Sequence, residues 1–162
     1  MSFIRFLTAG LVCFGVQWAN AESVEVTVKL SPVGSYVAKT NSIEGNVVVE
    51  GGKVKASNIK VAAKTLKTGI ELRDKHTLER IEADKHPEIV LVTGEGADGK
   101  GKGTIKIKGI EKPISGTYKV DGNTLKAQFK ISLKEFGIEK VRYLGVGVKD
   151  EVEIKVQVPV KK

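Results

Sequence analysis

The feature of this sequence that most constrains its fold is a hydrophobic period of two, which recurs from Ser23 onward. In "SVEVTVKL" the apolar residues Val24, Val26, Val28 and Leu30 alternate with polar ones, and "NTLKAQFKISLK" alternates in the same way. Successive side chains of a β-strand point to opposite faces, so each stretch predicts a strand with one buried and one solvated face. Glycine-bearing turn signals, "EGGK", "ADGKGKG" and "VDGN", separate the runs and predict local antiparallel hairpins.

About eight such strands can pack as a sandwich or close into a barrel. Two features favour the barrel. The strand candidates at 53–66 and 123–134 are long for a small sandwich, and the predicted inward faces include Gly116 and Ala127, which leave space. We therefore predict an all-β protein, an antiparallel eight-stranded barrel with one apolar interior.

One segment breaks the alternation and predicts a short helical insertion. It extends from Leu72 to about Ala83, lacks glycine and proline, and has a composition that favours helix. Thr68 and Glu71, three residues apart, resemble a capping pair at its start. The barrel is thus expected to carry a single helix between two of its strands.

The same segment is rich in titratable residues, including both histidines of the chain. His76 falls on the predicted helix, whereas His86 precedes Pro87 and is biased towards extended backbone, so the two do not form a local metal-binding pair. We expect no metal site here. Arg73 and Asp74 are interpreted as anchors of the helix, with contact between a ligand head group and Arg73 or His76 as the alternative.

The first residues, "MSFIRFLTAGLVCFGVQWANA", predict a secretory signal peptide. Arg5 precedes an apolar run, and Ala19-Asn20-Ala21 is a small-x-small cleavage pattern. A membrane anchor is the alternative, but the apolar run is shorter than the roughly 20 residues that a spanning helix needs. We predict cleavage after Ala21, a mature domain at 22–162, and a periplasmic or secreted location.

Processing also limits the chemistry that the mature chain can perform. It removes Met1, Cys13 and Trp18, the only residues of their types, so no disulfide or thiolate nucleophile remains. No nucleophile elbow or phosphate loop is present, and we expect neither an enzyme nor a cofactor. The formal net charge of +8 falls to +7 with the loss of Arg5. For an exported protein this basic balance favours an anionic membrane surface or a phosphate-bearing ligand over nucleic acid as a partner. The alternative is that the lysines are only the solvated faces of strands.

Several motifs, in order along the chain, carry a resemblance to a known family. They are "LKTGIELRDKH", "KHPEIVL", "GKGTIKIKGIEKPISG", "ISLKEFGI" and "VKDEVEIKVQV", and together they cover about Ser31 to Val158. This set resembles the YceI-like family of secreted lipid-binding proteins. The resemblance implies a lipocalin-like antiparallel barrel with a helical insertion, and a long apolar tunnel that holds a polyisoprenoid chain or a related amphiphile.

The alternating faces supply the candidate residues for such a tunnel. If the strands close into a barrel, the side chains that point inward and would line it are those of Ile105, Ile107, Ile114, Tyr118, Phe129, Ile131, Leu133 and Ile154. Candidates for the rim, where a polar head group would emerge, are Lys39, Arg73, His76, Phe136 and Tyr143.

The function expected from these residues and from the resemblance is sequestration or carriage of an isoprenoid-type lipid, or another long-chain amphiphile, without chemistry. Two alternatives stay open: a stress-related secreted β-barrel whose core is filled by its own side chains, and a small enzyme on the same scaffold. A homodimer is a further expectation.

Overall fold

A computed structural model describes residues 22–139, 142–143 and 145–161, which form one β-barrel. The strands in this part of the chain are β1 (Ser23–Ser31), β2 (Ser35–Thr40), β3 (Ile43–Glu50), β4 (Lys53–Ala62), β5 (Glu88–Ala97), β6 (Lys100–Ile107), β7 (Ile110–Asp121), β8 (Thr124–Ser132), β9 (Arg142–Tyr143) and β10 (Val146–Lys161). The α-helix α1 (Glu71–Arg80) lies between β4 and β5, and short 3-10 helices cover Ala63–Thr65 and Leu133–Phe136. No helix in these ranges has the length and apolarity that crossing a membrane requires. The predicted signal peptide lies outside the described residues.

Seven strands close the barrel, in the order β10, β3, β4, β5, β6, β7 and β8, with β8 pairing back to β10. Neighbours are antiparallel except between β10 and β3, where Val160 and Lys161 pair in parallel with Val47 and Val48. β1 occupies the edge of β10 as far as Gln157, so only the last residues of β10 reach β3. β1 and β2 consequently lie outside the ring. The all-β closed barrel with one short helix is confirmed, but the eight-stranded antiparallel ring was wrong: the ring is seven-stranded and mixed.

The hairpin between β5 and β6 shows how local turns set the strand register. Asp98 and Gly99 have φ angles of +52° and +77°, and Ala97 pairs directly with Lys100 across them. Two consecutive positive φ angles belong to a two-residue turn whose twist matches that of the flanking strands. Most of the "ADGKGKG" stretch is therefore strand and not loop.

Helix α1 is tied to the segment that precedes it through a buried carboxylate. The N–H and the hydroxyl of Thr68 both donate to Oδ1 of Asp74, at 2.7 and 2.6 Å, and Nζ of Lys67 lies 3.9 Å from Oδ2. These interactions, the hydroxyl bond first, hold the pKa of Asp74 below its usual value. The expected pairing of Thr68 with Glu71 is replaced by this one, because Asp74 reaches both Thr68 donors.

After β8 the chain changes its period from two to three. Leu133 and Phe136 are three residues apart in a 3-10 helix, so their side chains lie on the same side, and Phe136 is fully buried. Asp150 accepts hydrogen bonds from the Ser132 hydroxyl at 2.6 Å and from the Lys134 N–H at 2.9 Å, which lower the pKa of Asp150. This contact fixes the turn against β10.

Candidate functional site

The barrel contains a cavity of about 680 Å³ with a predominantly apolar wall. The side chains of β1, β2 and the ring strands form most of the wall, and α1 contributes one end. All eight residues predicted to point inward lie on it: Ile105, Ile107, Ile114, Tyr118, Phe129, Ile131, Leu133 and Ile154. The interior is therefore not filled by its own side chains, and its volume is typical of small-molecule pockets. That these residues bind a ligand stays a prediction.

Strand register explains why these side chains converge. On β10, Ile154 pairs with Phe129 of β8, and Val152 pairs with Ile131 of the same strand. On the other edge of β10, the same two residues pair with valines of β1. Residues directly opposite each other share a face of the sheet, so one long strand aligns the apolar rows of its two neighbours.

Small residues form part of the wall on β4 to β8. This small-residue band consists of Ala56, Gly94, Gly96, Gly101, Gly103, Gly116 and Ala127. A Cβ atom at Gly103 would collide with the carbonyl oxygen of Thr93, and one at Gly96 would collide with the ring of Tyr118. Only two members of the band were anticipated. The signal for the four glycines of β5 and β6 is glycine at every second position, on either side of the β5–β6 turn.

Four polar residues of α1 form what we call the α1 end of the cavity: Arg73, His76, Thr77 and Arg80. Their spacing of three and four residues places them on one helix face. The guanidinium of Arg73 lies 4.4 Å from the ring centroid of Tyr36, and the Thr77 hydroxyl donates to the Arg73 carbonyl at 2.8 Å. Burial raises the pKa of Tyr36, so its phenol is neutral at physiological pH. Two of the predicted rim residues, Arg73 and His76, therefore lie at the cavity.

The structure places the other predicted rim residues elsewhere. Lys39 points away from the cavity, because its neighbours Ala38 and Thr40 are buried, and its Nζ lies 2.7 Å from Oε1 of Glu25. Phe136 belongs to the core and not to a rim. Tyr143 lies in β9, but its side chain is outside the described part of the structure.

The remaining charged residues after α1 form a structural connection. Oxygens of Glu82 lie 3.0 Å from Nζ of Lys108 and 3.3 Å from Nζ of Lys85, and these contacts lower the Glu82 pKa. The His86 ring packs against Gly109 in the β6–β7 hairpin, and its backbone N–H donates to the Glu82 carbonyl at 2.8 Å. Within residues 22–139, 142–143 and 145–161, no cluster of three or more histidine, cysteine or carboxylate residues is placed to hold a metal ion.

Sequence reasoning missed several residues around the α1 end. Leu30, Tyr36 and Arg80 line the cavity, as do Ile70 and Leu72, whose side chains are each 50% exposed. The exposed halves of these two residues indicate that the cavity opens to solvent beside α1. The alternation of β1 placed Leu30 on the buried face, although it was not among the tunnel candidates, whereas the other four depend on how the helix sits on the barrel.

Comparison with known proteins gives consistent matches. A family model described as the YceI-like domain matches residues 14–160. BcnA of Burkholderia cenocepacia is 16% identical with a TM-score of 0.64, over 83% of this chain and 94% of that one. A polyisoprenoid binding domain from Saccharophagus degradans, implicated in plant cell wall breakdown, is 10% identical with a TM-score of 0.58, over 85% and 92%.

A mutant CJ YCEI protein with a monobromobimane guest is 15% identical with a TM-score of 0.51, over 99% of this chain and 94% of that one. No curated protein matches the sequence. At these identities the three solved structures establish a common fold, while function has to be argued from the site.

Proposed function

Because the chain belongs to the YceI-like family, we propose that it sequesters or carries an isoprenoid-type amphiphile in its barrel cavity. The cargo would be a polyprenyl chain or an isoprenoid quinone. Its tail would lie against the apolar wall that includes Ile105, Phe129 and Ile154.

The observation that carries this proposal is the unfilled apolar volume of about 680 Å³ inside the barrel. Burying one isoprenoid unit removes on the order of 100 Å² of apolar surface from water, which is worth roughly 2.5 kcal/mol before ordering costs. A tail of a few units therefore supplies enough free energy for stable binding. A core filled by its own side chains, the alternative drawn from the sequence, would leave no such volume.

The similar structures support a binding function of this kind. The Saccharophagus degradans protein is described as a polyisoprenoid binding domain, and the mutant CJ YCEI protein holds a guest molecule. Both have the same barrel fold as this chain. The small enzyme considered from the sequence gains no comparable support, because Asp74 and Glu82 are engaged by Thr68 and by lysines and do not line the cavity.

We further propose that the protein acts after export, in the periplasm or outside the cell. There it would exchange cargo with lipid assemblies. The basic net charge, and the exposed side chains of Ile70 and Leu72 beside the cavity, favour transient contact with an anionic membrane surface. A homodimer remains a prediction that light scattering of the mature protein would check.

Native mass spectrometry of the mature protein, purified without detergent from its own host, tests the cargo directly. Organic extraction would follow, with identification of what is released. We expect a stoichiometric polyprenyl or quinone species. Ala127→Trp, which narrows the lumen, should reduce the amount bound, whereas Lys126→Trp, on the outer face of the same strand, should retain it. A clean apo mass, together with no uptake when such lipids are offered, would refute the proposal.

A further inference from the structure

Helix α1 keeps its carboxylates off the cavity wall, as it does Lys75, while both of its arginines lie on that wall. Arg73, His76 and Arg80 lie on the cavity wall. The three carboxylates of the helix, Glu71, Asp74 and Glu79, do not. Asp74 is instead held by both donors of Thr68 on the buried side of the helix start. The helix thus presents two arginines and a histidine, and no carboxylate, to the cavity.

The two arginines form no ion pair with a carboxylate in the described part of the chain. Every ion pair found there involves a lysine, and none includes Arg73 or Arg80. Arg73 is only partly exposed and is held by its contact with the Tyr36 ring, which orients a guanidinium without cancelling its charge. The two arginines lie two turns apart, about 10 Å along the helix axis.

The far end of the cavity has a different electrostatic character. Glu95 is the one carboxylate on the wall among the described residues, and it pairs across the strands with Lys102, which also lies on the wall. Ile89 lies at the start of β5, the strand that follows α1. Glu95 lies six residues further along the same strand, roughly 20 Å away. Among the described wall residues, the formal charges of Glu95 and Lys102 therefore cancel at the far end, whereas Arg73 and Arg80 give a net positive charge beside α1.

From this asymmetry we infer that the cargo is an anionic amphiphile, whose carboxylate or phosphate head group binds Arg73 and Arg80 at the α1 end while its tail fills the barrel. The inference rests on the proposed function for the tail. Guanidinium groups bind both oxyanions through paired N–H donors. Arg80 is exposed where the cavity opens to solvent, and Arg73 is partly buried against the Tyr36 ring. The Thr77 hydroxyl and the neutral phenol of Tyr36 lie beside the same face of the helix.

Matched pairs of ligands with one tail and two head groups test the inference. The pairs are dodecanoate with dodecanamide, and farnesyl phosphate with farnesol, measured by calorimetry at low salt and a pH at which the acids are ionised. We expect the charged member to bind about tenfold more tightly, the gain typical of a hydrogen bond to a charged group. The larger of the two ratios identifies carboxylate or phosphate as the preferred head group.

Substitutions then assign the preference to the helix. Arg80→Gln and Arg73→Gln should each reduce the ratio, Arg73→Lys should restore part of it, and Lys75→Gln, on the same helix but off the cavity wall, should leave it unchanged. Equal binding of charged and neutral members would overturn the inference and leave the proposed function intact. A preference that survives both glutamine variants would also overturn it. If none of the four ligands binds, the proposed function itself fails.

Discussion

The volume of the cavity predicts a maximum tail length. A tail carbon takes a volume close to the ~30 Å³ that a water molecule occupies in the liquid, so about 680 Å³ holds about 20 carbons. Each buried methylene contributes ~0.8 kcal/mol, which corresponds to roughly a fourfold gain in affinity. Affinity for straight-chain fatty acids should therefore rise steeply with length and become flat near 20 carbons.

Ala127→Trp shifts this limit in a direction that the structure fixes. Ala127 lies on the cavity wall between Tyr118 and Val156. The indole group adds about nine non-hydrogen atoms to the lumen, so the limit should fall to about 11 carbons. Lys126→Trp adds the same group on the exposed face and should leave the limit near 20.

The assay is displacement of a fluorescent lipid by acids of about 10 to about 24 carbons, each below its critical micelle concentration, with the unfolding midpoint of each variant as a check on folding. An unchanged limit in a folded Ala127→Trp variant would refute the reasoning, because the tail would then lie outside the barrel. A steady rise in affinity beyond 24 carbons would do the same.

Three further predictions concern the barrel itself. Asp74→Ala removes the acceptor of two hydrogen bonds and should lower the unfolding free energy by about 2–3 kcal/mol. Amide hydrogen exchange in α1 should become faster, and unchanged exchange would contradict the anchoring role of Asp74. Asp150→Asn should destabilise the protein at neutral pH. The pKa of Asp150 is lowered from 3.8 in the folded state, so the difference in unfolding free energy between variant and parent should disappear as the pH falls through the folded pKa. A difference that stays constant as the pH is lowered would contradict the stabilising role of this carboxylate. Gly103→Ala should lower the unfolding midpoint, since its Cβ meets the Thr93 carbonyl, whereas Gly101→Ala, with its nearest atom at 3.4 Å, should be tolerated; equal midpoints would contradict the close approach.

Alternation along single strands was enough to identify the apolar wall. All eight predicted inward residues lie on it. Seven are in strands, where side-chain direction depends only on position, and the eighth, Leu133, directly follows β8 at the start of the 3-10 helix. The same rule would have placed Lys39 outside, between buried Ala38 and Thr40. The rule does not apply to Phe136, because the chain leaves extended structure at Leu133, where a period of three replaces the period of two.

Closure and helix docking could not be predicted from local pattern. Periodicity shows which face of a strand is buried, but it does not show which two strands pair to close the barrel. Here the closing pair is β10 and β3, and its extent depends on how far β1 extends along β10. The pairing of β1 with β10 joins opposite ends of the chain. Likewise, the contact of Arg73 with Tyr36 joins segments far apart in sequence, and neither residue alone signals the other.

At the small-residue band, the cavity wall is formed by main-chain atoms and not by side chains. Side chains can change rotamer to accommodate a new shape, whereas main chain held in a hydrogen-bonded ladder cannot. A tail that reaches Gly94, Gly103 or Gly116 therefore meets a rigid surface, while a head group beside α1 meets long, adaptable side chains. Discrimination between branched and straight tails should accordingly arise at the glycine-rich strands, and tolerance of differently sized head groups at the helix.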